Sequence, residues 1–183
     1  MINRFGSNKK CRFCSSQQII KIIDFGDVGL AGGFLLPEDF KDEKKYPQQL
    51  YFCENCYLLQ IINKVDTKLL FKDYFYFSSA ITTLKNHFKT YAKEVTEEFL
   101  NFKNSTVLEI GCNDGILLKP FLELGIGKVI GVDPSTNVIS TIKERDIITY
   151  NDFLTEKLAK QIVNEHGQVD VIWANNVFAH IDN

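Results

Sequence analysis

The chain has 183 residues, 45% of them hydrophobic and 24% charged, enough for one good core with an appendage or for two small domains. Its net charge of −2 sets up no field that draws a polyanion, and Lys9, Lys10 and Arg12 are too few to track phosphates, so nucleic acid is not an expected partner. No apolar stretch follows Met1 and no run approaches the roughly 20 apolar residues that cross a bilayer, so no membrane association is expected and the chain reads as soluble and cytoplasmic.

In chain order, the first signal is a pair of Cys-x-x-Cys knuckles, Cys11/Cys14 and Cys53/Cys56, separated by 38 residues. In a reducing compartment this spacing favours thiolates on a metal, and four thiolates around Zn²⁺ leave no open position, so the expected role is structural. Two disulfides or a thioredoxin-like redox pair are the alternatives. The insert is longer than the roughly 15–20 residues of a compact ribbon and must carry structure of its own. Ile19 to Asp24 reads as a strand, Gly26 to Gly33 as a glycine-rich loop, the mixed charges from Glu38 to Lys45 as a solvated loop, and Gln49 to Phe52 as a strand entering the second knuckle.

Next come Asp73-Tyr74-Phe75-Tyr76-Phe77-Ser78-Ser79 and then Ile81, Leu84, Phe88, Tyr91, Val95 and Phe99 at steps of three and four. That period predicts an amphipathic helix capped by Ser78 or Ser79. The aromatic cluster ahead of it reads either as packing or as an anion-receiving helix start.

From Thr106 the pattern becomes strand, glycine loop, helix, strand, acid. Thr106 to Ile110 is the first strand, Glu109-Ile110-Gly111-Cys112-Asn113-Asp114-Gly115 the turn, and a helix is expected from about Asp114, kinked at Pro120. Val129 to Val132 is the second strand and ends at Asp133, 22 residues after Gly111. Glycines let the loop backbone close on a ligand, an acid at the second strand tip accepts ribose hydroxyls, and Glu109 suits an ammonium group. A third strand over Ile147 to Tyr150, a helix from about Phe153 to Glu165 and a buried strand from Val169 to Trp173 lead into Asn175-Asn176-Val177-Phe178-Ala179-His180.

The glycine loop with its two acids resembles S-adenosylmethionine-dependent methyltransferases. That resemblance implies that Glu109, Gly111, Asn113, Gly115 and Asp133 line the cofactor and that Asp152 and Phe153 flank its adenine. Two Cys-x-x-Cys knuckles, then Asp-Tyr-x-Tyr-x-Ser-Ser, Glu-Ile-Gly-x-Asn-Asp-Gly and Asn-Asn-Val-x-Ala-His, resemble in that order the nucleotide-sugar C-methyltransferases, over about residues 11 to 181. The likeness implies methylation at C3 of a nucleotide-linked 4-keto sugar, with Tyr74, Tyr76 and His180 as the catalytic candidates touching the sugar and Asn175 and Asn176 shaping the cofactor edge.

The expected fold is therefore α/β: a four-cysteine zinc-binding domain over residues 1–64, a bridging helical segment over 65–103, and a partial Rossmann-like methyltransferase domain over 104–183 with the first four strands. The likeness also implies three further strands, a Tyr-x-Glu-His motif bearing the general base, and a C-terminal nucleotide-binding domain. The chain is accordingly expected to be the N-terminal part of such an enzyme, inactive alone, completed by a C-terminal fragment, and left with an apolar fourth strand at its edge. A non-catalytic zinc-dependent binding module, or a methyltransferase acting on another carbon acid, are the competing readings.

Overall fold

The computed structural model describes residues 9–32 and 34–181. Gly33 of the expected glycine-rich loop lies outside the described residues, as do residues 1–8 and 182–183 of the expected first and last domains. The chain divides into two compact units, Met1–Leu70 and Phe71–Asn183.

The first unit is built on three antiparallel strands, β1 (Ile19–Val28), β2 (Tyr46–Cys53) and β3 (Leu59–Ile61), in that spatial order. Its isoleucine-rich start makes β1 a strand, but β1 runs past the expected loop start at Gly26. Gly26 adopts φ +75° and donates its N–H to the Asp24 carboxylate at 3.0 Å, forming a bulge that shifts the register between Asp24 and Asp27. The mixed-charge segment 37–45 is exposed throughout, with a 3-10 turn at Pro37–Asp42. β3 has no counterpart in the sequence reading, because three residues carry no period. A short helix, α1 (Thr67–Phe71), follows.

The second unit holds a parallel sheet in the order β6-β5-β4-β7, where β4 is Thr106–Ile110, β5 Lys128–Val132, β6 Ile147–Tyr150 and β7 Val171–Trp173. All five residues of β4 are buried, as a central parallel strand covered on both faces requires. Alternation along β4 and β5 sends Val107 and Val129 to one face and Leu108 and Ile130 to the other. The first face packs on Ala92 and Val95 of α2 (Thr82–Phe99) and on Leu118 and Phe121 of α3 (Leu118–Glu123). Between β5 and β6 lies α4 (Thr136–Ile139), a single turn too short to register in the sequence. The second face packs on Leu158 and Ile162 of α5 (Glu156–His166). This is the first half of a Rossmann-like sheet.

Four local expectations need correction. The helix after the glycine loop begins at Leu118, so Pro120 sits in its first turn, where its missing N–H costs no intrahelical bond and causes no kink. Neither Ser78 nor Ser79 caps α2: the N-cap is Ile81 without a side-chain bond, and the serines form a 3-10 turn. Ile81 and Phe99, counted on the apolar face, are 41% and 64% exposed because they lie at the helix ends, beyond the sheet they would cover. α5 starts three residues late, at the turn where the Thr155 hydroxyl accepts the Leu158 N–H at 3.2 Å.

The expected apolar edge of the fourth strand is only half exposed. Trp173 is 6% exposed, its ring 4.7 Å from that of Phe121 and its Nε1–H donated to the Tyr91 hydroxyl at 2.9 Å, while Ile172 on the opposite face is exposed. Phe121 is fully buried at this junction, so Phe121→Ala should cost about 3–5 kcal/mol of stability in the second unit. Urea unfolding followed by the fluorescence of Trp173, the single tryptophan, checks this.

Candidate functional site

The four knuckle cysteines converge, with all sulfurs within 4.8 Å of one another. Cys11 and Cys56 are 3.6 Å apart, as are Cys14 and Cys53. A disulfide needs about 2 Å, which excludes that alternative, whereas Zn–S bonds of about 2.3 Å in a tetrahedron place sulfurs just under 4 Å apart. Each knuckle closes the same way: Ser15 and Tyr57, the residues after the second cysteines, have φ of +61° and +63° and donate their N–H groups to Cys11 and Cys53 carbonyls.

The surrounding groups favour thiolates. Gln60 donates Nε2–H to Cys11 Sγ at 3.1 Å while its Oε1 accepts the Arg12 N–H at 2.8 Å, and Asn55 Nδ2 lies 3.5 Å from Cys14 Sγ. The Cys14 backbone N–H, and then Gln60, lower the Cys11 thiol to about 6. The Leu58 N–H favours the Cys56 thiolate too, but burial and the neighbouring sulfurs outweigh it and hold Cys56 at about 12. Four sulfurs this close cannot all ionise by themselves; a divalent soft cation removes the repulsion, so the donor set fits Zn²⁺. Gln60 explains the inverted pattern of β3, in which the glutamine is buried and Leu59 and Ile61 are exposed.

The second site lies at the C-terminal ends of the parallel strands, where open α/β sheets bind ligands. Gly111 and Cys112 donate N–H groups to the Val132 carbonyl at 2.7 and 3.2 Å, closing the loop after β4 on the end of β5. Asp133 accepts the Asn113 N–H on Oδ2 at 2.9 Å and the Ser135 N–H on Oδ1 at 2.8 Å. Gly111 is at φ +68°, and a Cβ there would fall 2.2 Å from Val177 Cγ2, so the Asn175-Asn176-Val177 turn packs directly on the glycine loop. Asn175 reaches Glu109 Oε1 at 3.5 Å, while Asn176, at φ +54°, shapes the turn. Gly115 faces Ile142 and Lys119.

Glu109 is 3% exposed and, among the described residues, its Oε2 has no partner; nearby Asp114 is equally buried, and its Oδ1 has none among them either. Burial, reinforced by the charges of Asp133 and Asp114, raises the Glu109 carboxyl to about 8. Uncompensated carboxyl oxygens in a buried site await a cationic or donor-bearing partner.

Of the remaining candidates, Tyr74 and His180 both pack against Phe71, at ring separations of 6.0 and 5.8 Å, and Tyr76 lies 6.4 Å from Tyr74. Asp152 accepts the Phe153 N–H at 2.8 Å, and it is the preceding Asn151 that reaches the Asp133 carbonyl. The Asn113 side chain is engaged at both ends, because Oδ1 accepts the Ser78 N–H and Nδ2 donates to the Tyr76 carbonyl, both at 2.9 Å. Asp114, Asn137 and Gln60 are side chains bonded into these arrangements that the sequence does not single out: a polar residue at an inward strand position could have flagged Gln60, but nothing local marks Asn137.

Residues 84–183 match the family model described as "Methyltransferase domain", more than half of the chain. The chain belongs to that methyltransferase family. Residues 11–71 match a model described as "Putative zinc binding domain". C-methyltransferase NovU of Streptomyces niveus is 27% identical over 173 residues, 94% of this chain and 41% of that protein. Ubiquinone biosynthesis O-methyltransferases from two Rhodopseudomonas palustris strains are 32% identical over 80 residues, 41% of this chain and 29% of theirs. The chain thus spans about two fifths or less of the length of these relatives. The methyltransferase family implies S-adenosylmethionine, whose cationic ammonium and sulfonium suit the unpartnered Glu109 and Asp114 oxygens. Among the described residues no helix is long and apolar enough to cross a membrane.

Purified under reducing conditions, the chain should hold about one Zn²⁺, measured by a colorimetric chelator, and Cys53→Ser should lower that stoichiometry severalfold. For Glu109, a folded-state value near 8 against about 4.3 unfolded means that the native state keeps a proton the unfolded state has lost. Stability in the ligand-free protein should therefore fall as pH rises from about 4.5 to 8, by on the order of a few kcal/mol. Glu109→Gln should flatten that slope in denaturant titrations read at Trp173.

Proposed function

We propose that this chain supplies the zinc-binding and cofactor-binding parts of a cytoplasmic S-adenosylmethionine-dependent C-methyltransferase acting on C3 of a nucleotide-linked 4-keto deoxyhexose. The observation that carries the reading is the buried Glu109 carboxyl near the end of β4, with an oxygen that has no partner among the described residues, just ahead of a loop hydrogen-bonded to the segment that bears Tyr74 and Tyr76. The name C-methyltransferase on a relative aligned over 94% of the chain supports the carbon acceptor. A complementing C-terminal segment is part of the proposal, since the chain matches only 41% of that relative.

S-adenosylmethionine, when bound, supplies an electrophilic methyl group on a sulfonium. In this reading Glu109 holds the ammonium, Gly111, Asn113 and Gly115 bring loop backbone against the ligand, and Asp133 uses its remaining lone pairs for the ribose hydroxyls. Asp152 and Phe153 flank the adenine, and Asn175 and Asn176 border the methionine side. A 4-keto group acidifies the C3 proton; a base on the complementing C-terminal segment would take it, spreading negative charge onto the C4 oxygen, and C3 would gain the methyl group as its bond to sulfur breaks and the neutral thioether leaves. Tyr74, Tyr76 and His180 are the groups proposed to meet the sugar, with an O–H or N–H donated to that oxygen as charge develops. The four-cysteine centre is structural and takes no part in the chemistry.

Titration of the chain with S-adenosylmethionine should give saturable heat, and Glu109→Gln should weaken binding by about tenfold or more, as loss of a buried charge-assisted contact does. With a complementing C-terminal fragment supplied, labelled methyl should appear on a 4-keto nucleotide sugar. A well-folded chain that gives no saturable heat would count against the reading.

A further inference from the structure

Residues 72–79 form a strap that is tied to the sheet loops through hydrogen bonds of its own backbone. At one end Lys72 offers its carbonyl to the Thr136 N–H at 3.1 Å. Tyr74 is held on both sides by a single amide: its N–H donates to Asn137 Oδ1 at 3.0 Å and its carbonyl accepts from Asn137 Nδ2 at 2.7 Å. At the other end Asn113 repeats the arrangement, accepting the Ser78 N–H and donating to the Tyr76 carbonyl, and Asp114 Oδ2 accepts the Ser79 N–H at 3.0 Å. Thr136 and Asn137 follow β5, while Asn113 and Asp114 follow β4. The two loops are themselves joined through Asp133, which takes the Asn113 and Ser135 N–H groups.

We infer that Asn137, with Asn113, is a positioning residue that clamps the Tyr74–Tyr76 strap across both ligand-binding loops, so that filling the Glu109–Asp133 site stiffens the strap. The inference rests on the function proposed above. A ligand that orders these loops lowers the entropy lost when the strap is fixed, because the strap's backbone is bonded to the same loops that hold the ligand. By linkage, an acceptor that orders the strap then raises affinity for the ligand at the loops. The Asn137 amide bonds to the strap and not to the side chains of Glu109 or Asp133, so its loss separates the coupling from the binding. Position 137 is helical and the side chain is exposed, so alanine is compatible with the local backbone.

The test is amide hydrogen exchange by NMR on the intact chain, with and without saturating S-adenosylmethionine. Exchange at Tyr74, Ser78 and Ser79 is expected to slow at least about tenfold on saturation, the scale of a coupling free energy of ordinary size. Asn137→Ala should abolish the slowing at Tyr74 and, because the coupling is reciprocal, weaken the calorimetric Kd by no more than that same factor. Asn137→Asp sets a carboxylate oxygen against the Tyr74 carbonyl and should likewise lose the slowing at Tyr74, while protection at Ser78, held by Asn113, persists in both variants, an effect that general loosening of the fold does not give. Saturable binding with unchanged exchange at Tyr74 and Ser78 overturns the clamp and leaves the proposed function standing. No saturable binding by a folded chain overturns the proposed function and the coupling together.

Discussion

The Asp133 carboxylate is the constraint on which the second unit's site depends. It sits 5% exposed at the end of β5 and receives the N–H of Asn113 from one loop and of Ser135 from the next. Charge-assisted bonds of this kind are stronger than neutral ones, and here one of them holds Asn113 at φ +50°, a left-handed conformation that asparagine tolerates better than most non-glycine residues. That twist in turn aims the Asn113 amide at the strap. One buried acid thus joins the loop whose Asn113 holds Ser78 and Tyr76 to the segment whose Asn137 holds Tyr74.

The cysteine cluster makes a parallel point in the first unit. Its four sulfurs are brought together by two knuckles far apart in sequence, each finished by a left-handed residue that is not glycine. A cation bound there would offset the local strain at Ser15 and Tyr57 as well as the repulsion among thiolates. Gln60 completes this arrangement from β3, bonding Cys11 and Arg12 with the two ends of one amide.

Much of this was legible in the sequence, and what was not has identifiable causes. The knuckles, β4, β5 and β6 carry strong periodic or spacing signals and occur within a residue or so of where they were expected. β3 and α4 are too short to have a period, and Pro120 misled because the helix that contains it starts four residues later than assumed. Ser78 and Ser79 look like caps in sequence, yet Asn113 and Asp114 take their backbone N–H groups into the glycine loop. The Asn137 amide is invisible to any local rule, since its partners lie 63 residues away. The cysteine cluster, built on two local motifs, was readable, and the long-range side chain to backbone bonds were not.

The strap has an evolutionary corollary. Because it is fastened through carbonyls and N–H groups, the identities of residues 74 and 76 contribute nothing to the hydrogen bonds that fasten it. Side chains there can change without removing any of those bonds, at the cost only of the ring packing among Phe71, Tyr74 and Tyr76. Under the function proposed above, a lineage would retarget the acceptor by substitution at these two positions, with Asn113 and Asn137 retained as the fixed frame.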